Sequence, residues 1–299
     1  MPWRYILNPS NWPLLLGLGL LRLLILFPLS WQRSLGTMLG RAVEVLGARR
    51  RHIVDTNLRL CFPALDTSQR LRLRRDHFAA LGIGLFETAL AWWGSDERLR
   101  KLVAVEGLEH LSAASSNGRG ILLLTGHATG LEIGARFMTL QHPFHAMYRP
   151  HRNALYQDIM RRCREHRSAR TAIPQNDIRA TLRALRSGET VWYAPDHNYG
   201  RQSIFVPFFG IPAFTITATT RLAKLSGAQV LPYFPIRQAD GRYRLIIEPV
   251  LDGFPSGDVE TDTLRINQII EGWVKRAPEQ YYWVHRRFKT RPEGEAKLY

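Results

Sequence analysis

The chain has 299 residues, 45% of them hydrophobic, which is enough for one large α/β domain or two small ones and for a core that needs neither disulfides nor metals. Its two cysteines, Cys61 and Cys163, exclude a disulfide framework and lack paired metal-ligand spacing, so a reducing compartment and plain packing roles are expected. The 41 Lys and Arg against 25 Asp and Glu give a net charge of +16, which calls for a polyanionic partner: nucleic acid, an anionic membrane surface or a phosphorylated substrate.

The first element narrows that choice. Residues 14–29 are almost wholly apolar, interrupted by Gly17, Gly19 and Arg22 and closed by Pro28, with Trp3, Trp12 and Trp31 at the flanks. A spanning helix needs about 20 predominantly apolar residues, and this run is shorter. Flanking tryptophans suit the headgroup region, so the segment reads as a membrane anchor, either a short span or an interfacial helix. No small-residue cleavage site follows, which argues against a signal peptide. The predicted organisation is an N-terminal anchor over 1–33 and a single body over 34–299, without internal repeats or linkers.

In the body, apolar spacings of three and four predict helices over 34–60 and 67–95, separated by the turn Cys61-Phe62-Pro63. A fully apolar strand over 120–126 leads into a helix over 129–138. Then come a strand over 144–148, helices over 153–166 and 178–185, a strand over 190–194 and a helix over 215–225. Strands over 229–235 and 243–249 and a helix over 261–275 complete the pattern. The alternation predicts an α/β fold with a mixed sheet flanked by helices.

The sharpest chemical signal is Gly126-His127-Ala128-Thr129-Gly130-Leu131-Glu132 at the strand-to-helix junction. Five residues along a regular helix is about 140° around its axis, so His127 and Glu132 meet only if His127 sits in the loop before the helix. The glycines at 126 and 130 are expected to give that turn its backbone freedom, and Glu132 in the first helical turn to reach one imidazole nitrogen. A carboxylate on one ring nitrogen fixes the tautomer and leaves the other nitrogen to take a proton from a substrate hydroxyl.

Three further features carry weight. Arg161, Arg162, Arg164, Arg167 and Arg170 crowd one stretch, and Arg164 and Arg167 share a helix face that would suit a phosphate. Asp196-His197 directly follows a strand, a usual place for site residues in α/β folds. Tyr281-Tyr282-Trp283-Val284-His285-Arg286-Arg287-Phe288-Lys289 interleaves aromatics with cations, a pattern compatible with single-stranded nucleic acid and equally with a membrane-facing surface.

Read together, these strings resemble the late acyltransferases of lipid A biosynthesis, the lauroyl and myristoyl transferases of Gram-negative inner membranes, over nearly the whole chain. The matching segments are Asn57-Leu58-Arg59-Leu60-Cys61-Phe62-Pro63, His127 with Glu132, Tyr148-Arg149-Pro150 with Asn153, and Trp192-Tyr193-Ala194-Pro195-Asp196-His197. To these are added Phe205-Val206-Pro207-Phe208-Phe209-Gly210 and the stretch from Pro278-Glu279-Gln280-Tyr281 through Arg291-Pro292. The resemblance implies an acyltransferase domain over 34–299 that moves a fatty acyl group from an acyl carrier protein thioester to a hydroxyl on the hydroxyacyl chains of a phosphorylated glycolipid, the lipid A precursor. It implies His127 and Glu132 as the catalytic pair, and substrate-binding roles for Arg149, Asp196 and an arginine that falls on Arg164 or Arg167. The inner membrane, with the active site on the cytoplasmic side, is the implied location. No motif calls for a metal, nucleotide or redox cofactor. Alternatives from the residues alone are acyl transfer onto a glycerophospholipid or other polar lipid, and a non-catalytic basic protein binding membrane or nucleic acid; the apolar N-terminal run counts against nucleic acid.

Overall fold

The computed structural model describes Tyr5, residues 8–198, Gly200 and residues 202–299; Trp3 lies outside the described residues. The strands are β1 (Val103–Glu106), β2 (Ile121–Leu124), β3 (His145–Tyr148), β4 (Ile173–Pro174), β5 (Thr190–Tyr193), β6 (Ser203–Phe208), β7 (Ile211–Ile216), β8 (Gln229–Arg237) and β9 (Tyr243–Ile247). Seven of them form one sheet in the order β1-β9-β8-β2-β5-β3-β4, while β6 and β7 make a separate hairpin. Pairing is parallel throughout the large sheet except between β8 and β9, so the predicted mixed sheet is present.

The centre of the sheet is buried on both faces, as continuous apolar runs in parallel strands require. Along β2, Leu122 and Leu124 join one core with Val191, Val230, Ile270 and Trp273, while Ile121 and Leu123 join the other with Trp192, Leu231, Ile133 and Phe137. Fully burying each such aliphatic side chain contributes about 1.5–3 kcal/mol. Helices Ile178–Arg186, Ala218–Ser226 and Val259–Arg276 cover the first face, and Leu131–Thr139 and Ala154–Ser168 the second.

Helix ends follow local chemistry. Asp66 and Gln69 form a reciprocal capping box that starts the 27-residue helix Thr67–Trp93. Asn153, one of the family residues, accepts from the Tyr156 amide and caps Ala154–Ser168. The helix expected over 34–60 is two helices, Leu29–Leu46 and Ala48–Cys61, because the chain bends at Gly47, where a Cβ would crowd the Val43 carbonyl at 2.6 Å. Leu29–Leu46 then lies close along Thr67–Trp93. Their contact is made through Gly36, Gly40 and Gly82, where an added Cβ would overlap the facing backbone.

The helix expected over 215–225 starts later, at Ala218, because 211–216 is strand β7. Phe209 and Gly210 join β6 to β7 with positive φ of 52° and 75°, the two-residue turn that matches strand twist. The apolar N-terminal run is also broken. Its helix, Trp12–Leu24, has 13 residues, and Pro28 sits at the start of the next helix. At 1.5 Å per residue that helix is roughly 20 Å long against a hydrocarbon core of about 30 Å. No helix among the described residues is long and apolar enough to cross a membrane, which corrects the expectation of a transmembrane helix. Leu16, Leu20, Leu23 and Leu26 are nonetheless exposed, Leu16 by 74%.

Candidate active site

His127 and Asp196 occupy equivalent places at the carboxyl ends of neighbouring parallel strands, the edge where open α/β sheets bind ligands. Leu124, the last paired residue of β2, stands opposite Tyr193, the last of β5. Each strand then runs three residues further, one to His127 and the other to Asp196. That register brings the Asp196 carboxylate within 2.6 Å of His127 Nδ1, while its second oxygen accepts the His127 backbone N–H at 2.9 Å.

Asp196 is fully buried. Burial opposes its ionisation, but the charge on His127 and the hydrogen bonds from His127 outweigh that and hold the carboxyl well below the usual carboxylate range. An ionised carboxylate only accepts, so Nδ1 carries the hydrogen, and Nε2 is the nitrogen left to exchange a proton.

The histidine loop is braced from the far end of the chain. The Thr129 amide donates to the Gln280 carbonyl at 2.8 Å, and the Tyr282 amide donates to the His127 carbonyl at 3.0 Å. Asn57 donates its side-chain amide to the carbonyls of Trp283 (2.7 Å) and His285 (2.9 Å), tying helix Ala48–Cys61 to the same segment. The family strings around Asn57 and Tyr281 therefore meet behind the site. Gly126 and Gly130 do not supply left-handed backbone, contrary to expectation, since neither has a positive φ. They supply room: a Cβ on Gly126 would press on Trp273 and Ile270 at 3.0 and 3.1 Å, and one on Gly130 on the Glu87 carboxylate at 2.9 Å.

The expected pairing of His127 with Glu132 is not formed. Glu132, at the start of helix Leu131–Thr139, receives both Nη2 and Nε of Arg164, the latter at 3.3 Å, and the Trp92 indole N–H at 3.1 Å. These donors outweigh the cost of burial and keep the Glu132 carboxyl below its ordinary range, and the same pair keeps Arg164 charged although burial opposes it. The five clustered arginines are likewise not a free cationic face. Arg161 and Arg162 pair with Asp158, Arg164 with Glu132, Arg167 with Asp96, and Arg170 with Glu189. Arg164 and Arg167 thus do not converge on a shared phosphate site, because each guanidinium is drawn to its own acid.

His127 lines a cavity of about 620 Å³. Leu131, Met147, Met160, Trp192, Ile216 and Leu222 give it an apolar wall, and Arg149, Arg164, Gln175 and Asn176 give it polar points. Arg149 is exposed and, among the described residues, makes no hydrogen bond or ion pair, so its charge is available to a ligand. Arg167 lines only a small void behind Glu132. Two residues not assigned a role from sequence also reach the site: His197, whose ring stacks on His127, and His285, which stacks on His197.

Fold and site define an enzyme with a carboxylate-oriented histidine opening onto a mostly apolar cavity. The sequence matches the bacterial lipid A biosynthesis acyltransferase family over residues 4–290. It is 42% identical to the lipid A biosynthesis palmitoleoyltransferase of Escherichia coli K12, over 99% of this chain and 97% of that protein. It is 40% identical to the lipid A biosynthesis lauroyltransferase of the same organism (98% and 97%), and 37% identical to a lipid A biosynthesis acyltransferase of Haemophilus influenzae (97% and 94%). The chain belongs to the lipid A biosynthesis acyltransferases.

Proposed function

We propose that this enzyme transfers a fatty acyl group from an acyl carrier protein thioester to a hydroxyl on the hydroxyacyl chains of a lipid A precursor, with His127 as general base. The observation that carries the reading is the 2.6 Å contact of His127 Nδ1 with buried Asp196, on a ring that lines the large cavity. The partner of the base in this proposal is Asp196, and Glu132 instead holds Arg164 at the cavity wall. His127 Nε2 takes the acceptor hydroxyl proton, the oxygen attacks the thioester carbonyl, and the carbon–sulfur bond breaks as the ester forms. The leaving thiolate takes the proton back from the imidazolium, so no protein nucleophile is acylated. The apolar wall suits the acyl chain, and Arg149 at the rim suits a phosphate of the acceptor.

The test mixes acyl carrier protein thioesters of several chain lengths with a tetra-acylated lipid A precursor and reads the product by mass. Wild type should add one acyl group, and His127→Ala should turn over at least about 100-fold more slowly, within the range that general-base catalysis contributes. More than a tenth of wild-type turnover in His127→Ala would remove His127 as the base. A gain on glycerophospholipid but not on the lipid A precursor would move the acceptor to that class.

We further propose that the exposed leucine face of Trp12–Leu24 lies in the plane of an anionic bilayer surface instead of spanning it, on the cytoplasmic side of the inner membrane. Leu16, Leu20 and Leu23 recur at helical spacing on an exposed face, beside exposed Phe27 and Trp31. Flotation with phosphatidylglycerol-containing vesicles should carry wild type upward and leave a triple Leu16→Asp, Leu20→Asp, Leu23→Asp variant at the bottom of the gradient. Equal flotation of the two would place the membrane contact elsewhere.

A further inference from the structure

Three imidazoles form one stack at the site. The rings of His127 and His197 are 3.4 Å apart between centroids and 12° from parallel, and His285 lies on the other face of His197 at 3.9 Å and 17°. The outermost ring is anchored: His285 Nε2 accepts the Asn198 backbone N–H at 3.1 Å, and the His285 carbonyl accepts from Asn57. The middle ring is held differently. His197 Nε2 is buried without a hydrogen-bond partner among the described residues, so at that atom the ring is fixed by its neighbours' faces alone.

The contact to Asp196 secures one atom of the His127 ring, and a ring held at one atom can still tilt about that bond. Tilting moves Nε2, the atom that must meet the acceptor hydroxyl. A flat neighbour across the whole face removes that freedom. It must also stay uncharged when His127 becomes an imidazolium, because like charges at stacking distance repel strongly in a site sheltered from water. Burial, together with the charge on His127, pushes the His197 imidazole down to about 2, and burial pushes His285 down to about 4, so both are neutral when the site works.

We propose that His197 is a positioning residue for acyl transfer: clamped between His127 and His285, its ring sets the plane of His127 so that Nε2 stays aimed at the acceptor hydroxyl while Nδ1 stays on Asp196. The inference rests on His127 being the base. The site does not need His197 to exchange a proton; it needs the flat face. A misplacement of reacting atoms by about 1 Å costs on the order of 100-fold in rate, which sets the scale expected on losing that face.

The experiment compares His197→Phe, which keeps a flat ring, with His197→Leu and His197→Met, which keep bulk without one, in the full chain and the mass-read transfer assay. Two non-planar variants are used so that misfolding of one leaves the other. Both should lose about 10–100-fold in kcat with KM for thioester and acceptor within about twofold of wild type. His197→Phe should recover kcat to within about fivefold of wild type. Equal kcat in the planar and non-planar variants overturns the proposal: if all are high, the face is not needed, and if all are low, a ring nitrogen is what matters. His127→Ala, measured alongside, keeps the two readings apart, since high activity there sinks the base itself.

Discussion

Asp196→Asn is expected to lower kcat by about 10³–10⁴-fold with little change in KM, the scale seen when a His–Asp site loses its tautomer control. Asn is nearly isosteric, so the loop should keep its shape. Its amide has one acceptor oxygen, and the His127 backbone N–H at 2.9 Å claims it. The amide nitrogen then faces Nδ1, which can accept that hydrogen bond only by giving up its own proton. The ring proton moves to Nε2, and the base is blocked at the atom that should act. No carboxylate remains beside the ring to stabilise the imidazolium. Single-turnover acyl transfer, read by lipid mass, checks this, and activity within tenfold of wild type would show that the His127–Asp196 contact does not govern the base.

Arg164→Met should destabilise the fold by about 1–3 kcal/mol near neutral pH, because it leaves one member of an ion pair whose side chains are only 15% and 16% exposed without its partner. Glu132 would keep only the Trp92 indole as a donor. The sign with pH follows from the carboxyl. In wild type its folded pKa is depressed, so its stabilising contribution is complete above the unfolded value of about 4.3 and fades as pH falls through the folded one. In the variant Glu132 has lost its cation and protonates more readily, so the gap between the two proteins should narrow on acidification from pH 7 to 4.5. Adding Glu132→Gln to Arg164→Met should recover much of the loss, because no uncompensated charge then remains buried. Urea unfolding of the three proteins at both pH values measures this, and an Arg164→Met protein as stable as wild type would mean that the pair is not sealed from water.

The sheet was legible where the sequence was simplest. Runs such as Ile121-Leu122-Leu123-Leu124 and Thr190-Val191-Trp192-Tyr193 declare strands buried on both faces, and both appear at those positions. The β6–β7 hairpin is not legible because its two six-residue strands contain Pro207 and Pro212, although Phe209-Gly210 between two apolar runs is a turn signal. The place of His127 in the loop between strand and helix is legible as well, but its hydrogen-bond partner is not. Proximity along the chain favoured Glu132, whereas the contact is made across 69 residues by strand register. A signal is present: in both β2 and β5 a residue able to do proton chemistry stands three places past the last paired residue. The arginine cluster misled for a different reason. Charge counted along one helix ignores the acids that other elements bring to it, here Asp96, Glu132 and Glu189.

The brace on the histidine loop carries a consequence for how the enzyme is made. The loop residues emerge from the ribosome long before Gln280 and Tyr282, whose backbone groups bond to Thr129 and His127. A growing polypeptide therefore owns the histidine well before it owns the residues that seat it. The loop is seated only after this late-made segment has emerged and folded back, so a chain that stops short of it carries the histidine without its brace.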